Sequence, residues 1–276
     1  MIDCHVHTTN SPDGESTTID MINKGIEIGL DTIAFTDHCE VNMWYPKDHY
    51  KKTFDYDDYN YKDSFERSIA EVSKLKAEYR QKIKILCGIE LGQANMDFSL
   101  SEKILQDDRL DYVLGSIHQV AGFKDFFTID YNSVDVESLL GAYFLTVLRL
   151  CKWGKFDVLA HLTYPLRYLA ENNIDIDLSK HKPTIVKIFK TIISNNIGLE
   201  VNSSGLRQSY GKPFPTEECI RLYKELGGTI VSVGSDAHRT EDLGANIKDC
   251  IELIKSCGFD HLTYYVKRRP FNYSLD

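Results

Sequence analysis

The chain has 276 residues, 42% of them hydrophobic, a length and composition that suit one α/β barrel with a sizeable core. A formal net charge of −9 and a pI of about 5.5 exclude a global basic field, so neither nucleic acid nor a membrane surface is an expected partner. No apolar run approaches the length of a membrane span. Met1 leads directly into a strand-like segment without a signal-peptide pattern, which predicts a cytoplasmic location.

The first predicted strand is Ile2–Val6. Ser16, Thr17 and Thr18 then offer N-caps for a helix whose apolar positions are Ile19, Ile22 and Ile26. Further strands are predicted at Thr32–Thr36, Ile83–Ile89, Tyr112–Ile117, Asp157–Ala160, Gly198–Val201 and Thr229–Val233. All are short apolar runs of the kind buried on both faces in parallel sheets. Helical stripes lie between them: Phe65/Ile69/Val72/Leu75, Leu139 to Leu148, Ile185 to Ile193, Ile220/Tyr223/Leu226 and Ile247 to Ile254. Seven β–α alternations without a linker, repeat or low-complexity tract predict one domain over 1–276, an α/β seven-stranded TIM-like barrel. The rhythm breaks at 41–63, a loop crowded with aromatic residues including Tyr45, Phe54, Tyr56, Tyr59 and Tyr61. It either packs on itself or covers a site. The seven cysteines form no CxxC pair and read as small core residues of a reduced protein.

Chemistry-bearing residues gather at the ends of these strands. Strand one ends in His5-Val6-His7, strand two in Asp37-His38, strand three in Glu90, strand four in His118, strand five in His161 and strand seven in Asp236-Ala237-His238. Six of the nine histidines thus stand at the C-terminal edge, where β/α barrels build their sites. His5 and His7 are two apart on an extended segment and point the same way, as do Asp236 and His238. Glu90, with two oxygens, is the natural bridge between cations. The donor set predicts two or three divalent metal ions (Zn, Mn or Fe) with open positions for water and substrate.

In this order, His5-x-His7, Thr36-Asp37-His38, Glu90, His118, His161 and Ser235-Asp236-x-His238 resemble the PHP (polymerase and histidinol phosphatase) superfamily. The likeness runs from residue 1 to about 250. Asp37-His38-Cys39-Glu40 and the Glu200 to Arg207 segment draw the chain toward the monofunctional histidinol-phosphate phosphatases within it. That resemblance implies a distorted barrel of seven strands around a trinuclear site. It assigns His5, His7, Glu90 and Asp236 to one metal, and Glu90, His118 and His161 to a second. Asp13, His38 and His238 go to a third. It also implies hydrolysis of L-histidinol phosphate to L-histidinol and phosphate in histidine biosynthesis. Asp3 and Asp37, each beside a ligand, are expected to orient imidazoles or close the barrel end.

Hydrolysis of a phosphate monoester needs a nucleophile and neutralised phosphoryl oxygens, and a metal-activated hydroxide supplies both. Glu90, Asp236 and His238 are the expected catalytic residues. Arg207 and Arg167 follow strands six and five and are expected to clamp the phosphate, with Arg239 a weaker third. Asn202 and Ser203 are expected to donate hydrogen bonds, and Glu40 to contact the organic part of the substrate. The alternatives are another small phosphate, a nucleotide or phosphotyrosine as substrate, and a non-catalytic metal-binding domain. An amidohydrolase is disfavoured because His118, not lysine, ends strand four. The oligomeric state has no signature in the sequence.

Overall fold

The computed structural model describes residues 1–47, 49–50 and 57–275. Its strands form where apolar runs are bounded by polar residues or turns. They are β1 (Ile2–Val6), β2 (Thr32–Phe35), β3 (His38–Glu40), β4 (Lys84–Gly92), β5 (Tyr112–Ser116), β6 (Val158–Leu159), β7 (Gly198–Asn202) and β8 (Val231–Gly234). Seven of them pair in parallel in the order β1-β2-β4-β5-β6-β7-β8. Ile2 lies beside Thr32, Ile33 beside Ile85, Gly88 beside Tyr112, Leu114 beside Val158, and Leu199 beside Val231. The ring closes only at its C-terminal edge. There Asp236 N donates to His5 O and His7 N to Ala237 O, both at 2.8 Å. The seven-stranded, distorted barrel expected from the sequence is therefore present.

The distortion concentrates where ligand-type residues stand. The β1–β2 register shifts between Asp3 and Val6. The second strand breaks at Thr36-Asp37 and resumes as β3, which pairs only with β4, setting His38 opposite Glu90. Gly234 lets β8 approach β1 closely, because a Cβ there would lie 2.3 Å from the His5 Cβ and 2.7 Å from Glu200 Oε1.

The helices wrap the outside. They are α1 (Thr18–Glu27), α2 (Tyr61–Glu78), α3 (Phe98–Ile104), α4 (Val136–Trp153), α5 (Leu166–Glu171), α6 (Lys182–Ser194), α7 (Glu217–Glu225) and α8 (Ile247–Ser256). Thr17 caps α1 by accepting from Asp20 N, and Asp135 caps α4. The predicted α1 stripe is corrected. Ile19 is 44% exposed, and the buried face is Thr18, Met21, Ile22 and Gly25, where glycine admits the Ile83 and Leu30 side chains. One continuous cluster of buried side chains joins strands to helices, and all seven cysteines are free and buried within it. No helix among the described residues is long and apolar enough to cross a membrane.

Two features depart from expectation. Within the described part of the 41–63 segment there is more regular structure than predicted, with a 3-10 turn at Val41–Met43 and α2 starting at Tyr61. Its Phe54 and Tyr56 lie outside the described residues. The second feature is a hairpin, β9 (His261–Val266) and β10 (Arg269–Ser274). It covers the N-terminal end of the barrel. Tyr265 stacks on Tyr112, Lys267 N donates to Asp111 Oδ1, and Arg268 Nε donates to Asp157 Oδ2.

Candidate active site

Alternation along β1 puts Ile2, Cys4 and Val6 on one face and Asp3, His5 and His7 on the other, and all six side chains are buried. His5 and His7 therefore emerge together at the C-terminal mouth, with their Nε2 atoms 3.0 Å apart. Glu90 stands at the centre. Its Oε1 lies 2.7 Å from His161 Nε2 and 3.0 Å from His118 Nε2. Its Oε2 lies 2.9 Å from His38 Nδ1 and 3.6 Å from both His5 and His7 Nε2. Asp236 Oδ1 sits 3.3 Å from His7 and 3.5 Å from His5. Asp13, on the turn after β1, reaches His238 at 3.2 Å and His38 at 3.6 Å. All nine residues expected to bind metal thus converge on one mouth.

Most of these imidazoles are oriented through their other nitrogen. Glu200 Oε1 accepts from His5 Nδ1 at 2.7 Å. The Ser11 hydroxyl donates to Asp37 at 2.8 Å, so it accepts from His7 Nδ1 at 3.0 Å. Glu40 accepts from His118 Nδ1 at 2.8 Å, and the Asp236 carbonyl from His238 Nδ1 at 3.0 Å. These bonds put the proton on Nδ1 and leave Nε2 facing the centre as a lone-pair donor. Asp3 accepts from Ser235 N and Gly244 N, which ties β8 to β1.

The electrostatics suit a cation. Burial opposes charge on Glu90, but His118, His38 and His5 outweigh it and hold the carboxyl well below its usual range. Asp236 is likewise depressed against burial, chiefly by His5, and Asp13, whose side chain is 60% exposed, is depressed chiefly by His38. Conversely, burial opposes protonation of His5, His38 and His118, while Glu200, Asp13 and Glu90 respectively lead the groups that raise them, His118 to about 10. His7, buried beside His238 and His38, is pushed well below its ordinary value. The carboxylates that hold protons on these rings would hold divalent cations in their place. The donor set passes a geometric test as well. Within each of the trios His5/His7/Glu90, Glu90/His118/His161 and His7/His38/His238, donor atoms lie within 4.8 Å of one another. Glu90 Oε2 and His238 Nε2 are buried with close ion-pair neighbours, His38 Nδ1 and Asp13, but without a well-aligned hydrogen bond among the described residues. The backbone carries strain here too, with non-glycine positive φ at His161 (21°) and Asp236 (56°).

The cluster floors a cavity of about 470 Å³, whose wall includes Tyr61, Gln93, Tyr164 and Arg167. A second hollow of about 380 Å³ shares Asp13, Arg167, Asp236 and His238 with it and adds Ser204, Arg207 and Arg239. Arg207 donates through Nη2 to the Ser235 and Asp236 carbonyls, at 2.7 and 3.1 Å, leaving Nη1 unpaired. Arg167 lies over the Tyr168 ring at 4.9 Å with Nε unpaired. Arg239 is half exposed and bonds Asp242 at the rim. A larger cavity of about 930 Å³ lies among α5, α6 and α7, but no residue of the histidine–carboxylate cluster lines it, so it has no part in this chemistry.

Three expected substrate contacts also have partners within the protein. Glu40 bonds His118, is held close by Gly92, and lines the 470 Å³ cavity. Asn202 is engaged with Glu200, Asp236 and Ser204. The Ser203 hydroxyl donates to the Ala245 carbonyl, and Ser204 is the serine that lines the arginine hollow. Glu200 entered the sequence reading only within the Glu200 to Arg207 segment, with no role of its own. Its signal was a lone acid inside the apolar run Gly198–Val201.

Comparison with known proteins agrees with this geometry. The PHP domain matches residues 3–204, more than half of the chain. A Thermotoga maritima protein named "Probable histidinol-phosphatase" is 29% identical, covering 95% of this chain and 94% of its own. One of the same name from Clostridium acetobutylicum is 28% identical, covering 93% and 94%. Among solved structures, histidinol phosphate phosphatase from Lactococcus lactis, crystallised with zinc, L-histidinol and phosphate, superposes with a TM-score of 0.78. It is 21% identical and covers 98% of each chain, a likeness of fold. By the match over residues 3–204, with the nearly closed parallel barrel and its strand-end histidines, this chain belongs to the PHP domain family.

Proposed function

We propose that this chain is a metal-dependent phosphatase that hydrolyses L-histidinol phosphate to L-histidinol and phosphate, a step of histidine biosynthesis. The observation that carries the reading is the position of Glu90, whose two oxygens face two separate sets of imidazole nitrogens beside an arginine-lined hollow. One divalent cation would be held by His5, His7, Glu90 and Asp236, a second by Glu90, His118 and His161, and a third by Asp13, His38 and His238. Zinc, manganese and iron all suit these donors. When bound, such cations lower the pKa of water toward ~7 and neutralise phosphoryl oxygens.

The chain's own residues do the rest. Arg167 and Arg207 offer unpaired guanidinium nitrogens to phosphate oxygens beside Asp236 and His238. Glu200, Ser11 and Glu40 keep His5, His7 and His118 in the tautomer that presents Nε2. Asp236 and His238 line the arginine hollow, and passing a proton toward the leaving alcohol would fall to them. Water adds to phosphorus, the ester P–O bond breaks, and the proton lost by water balances the alkoxide. The net charge of −9 supports a small-molecule substrate over nucleic acid. The free, buried cysteines support a reducing, cytoplasmic setting. Support for the substrate is the naming of the relatives and the ligands in the Lactococcus lactis structure.

The test is a panel of phosphate esters ranked by kcat/KM with the metal-loaded protein. L-histidinol phosphate is expected at or near the top. A nucleotide or a phosphotyrosine peptide ranking well above it would overturn the substrate while leaving the phosphatase chemistry standing.

A further inference from the structure

Beyond the metal cluster, the cavity has a wall of uncharged amides. Asn42 follows β3, Gln93 follows β4 and Gln119 follows β5, and all three line the 470 Å³ cavity. Asn42 is 6% exposed and Gln93 1% exposed. Gln93 Nε2 donates to the backbone carbonyl of Gln119 at 2.7 Å, and Asn42 Nδ2 to its side-chain oxygen at 3.4 Å. A backbone carbonyl only accepts, so Gln93 cannot flip its amide without setting oxygen against oxygen. Its Oε1 is thereby turned away from Gln119. Gln93 Oε1 and Asn42 Oδ1 are both buried without a hydrogen-bond partner among the described residues. Gln93 also holds a left-handed backbone, with φ of 57°, a cost tolerated where a side chain must be aimed. Leaving two amide oxygens buried and unpaired is expensive unless a ligand pairs them.

The ring order of the barrel gives this wall a direction. The amides stand after β3, β4 and β5, whereas Arg207 follows β7 and Arg239 follows β8, across the mouth. The unpaired amide oxygens of Gln93 and Asn42 thus stand on one side and the unpaired Arg207 Nη1 on the other, with the imidazole–carboxylate cluster between them. From this polarity we propose that Gln93, with Asn42, sets substrate specificity by accepting N–H bonds from the leaving-group alcohol. The proposal rests on the phosphatase reading and deepens it. The preferred substrate is a phosphate monoester whose alcohol carries an N–H donor such as an imidazole or ammonium group.

Titration calorimetry of zinc-loaded protein with L-histidinol, which has the nitrogens but no phosphate, tests it without catalysis. Wild type is expected to bind. Gln93→Leu is expected to bind about tenfold or more weakly, and Asn42→Asp, which keeps an acceptor, to retain affinity. In turnover, the ratio of kcat/KM for L-histidinol phosphate to that for para-nitrophenyl phosphate should fall about tenfold in Gln93→Leu. Asn42→Leu gives the same reading should Gln93→Leu fail to fold. No binding of L-histidinol to wild type, equal binding to the leucine variants, or equal loss on both esters would overturn the proposal. Poor turnover of L-histidinol phosphate by a wild type that binds L-histidinol would instead count against the proposed reaction.

Discussion

Glu200 offers the sharpest perturbation, because three donors meet on its buried carboxylate. His5 Nδ1 reaches Oε1 at 2.7 Å, while His161 N and Asn202 Nδ2 reach Oε2 at 2.8 and 3.2 Å. In Glu200→Gln one of the two positions becomes an NH₂. Facing it toward His161 and Asn202 would set it against two donors, so the less costly orientation turns it toward His5. His5 must then offer a lone pair at Nδ1 and carry its proton on Nε2, the atom aimed at Glu90 and Asp236. Restoring the metal-ready tautomer costs about one charge-assisted hydrogen bond, ~1.5–3 kcal/mol, or about 10–100-fold in metal affinity. Competition of the folded variant against a chelator measures this directly, and kcat at saturating substrate should fall in parallel at limiting metal. Wild-type metal affinity in a folded Glu200→Gln protein would refute the argument that this carboxylate selects the His5 tautomer.

Arg207→Leu removes an unpaired donor and the clamp on the Ser235 and Asp236 carbonyls. It should lower kcat/KM about 10–100-fold for every phosphate ester, as read in steady-state kinetics. In metal-free protein the raised imidazoles make stability fall with pH. His118, ordinarily near 6.5 and lifted to about 10 by Glu90 and Glu40 against burial, contributes fully below 6.5 and loses its contribution as pH rises through 10. Denaturation midpoints of chelated protein should therefore drop between pH 6.5 and 10, and metal loading should flatten that slope. Asp111→Ala strips partners from Cys87 N and Lys267 N and removes the ion pair to Lys76. It should cost about 3–5 kcal/mol in chemical denaturation while leaving the metal content of the folded protein intact.

The sequence made the site more legible than the frame beneath it. Strand-end histidines are readable because a two-residue period on an extended segment puts His5 and His7 on one side, and a parallel barrel gathers all strand ends at one mouth. Glu90 was readable as an acid with two oxygens closing an apolar strand. Glu200 was not singled out, since a buried acid inside a strand shows its purpose only when its partner is seen. Gln93 and Asn42 were silent for a different reason. Uncharged amides carry no compositional signal, and their meaning lies in which atom is left unpaired. Ser204, rather than Ser203, lines the hollow because a 3-10 turn begins at Ser204, while the Ser203 hydroxyl bonds the Ala245 carbonyl. The terminal hairpin escaped notice because its two-residue turn is Lys267-Arg268. Both residues adopt positive φ without the Asn-Gly or Asp-Gly that usually signals such a turn. Asp111 compensates, its carbonyl accepting from Arg268 N and its carboxylate from Lys267 N.

The central claim is that histidines and carboxylates on one barrel mouth hold divalent cations that enable phosphate-ester hydrolysis. Phosphate release from L-histidinol phosphate by chelator-stripped protein, titrated with zinc or manganese, tests it most directly. No turnover is expected without metal, and activity should climb until two or three equivalents are bound. Undiminished turnover by the stripped protein, or none at any metal loading, would contradict it.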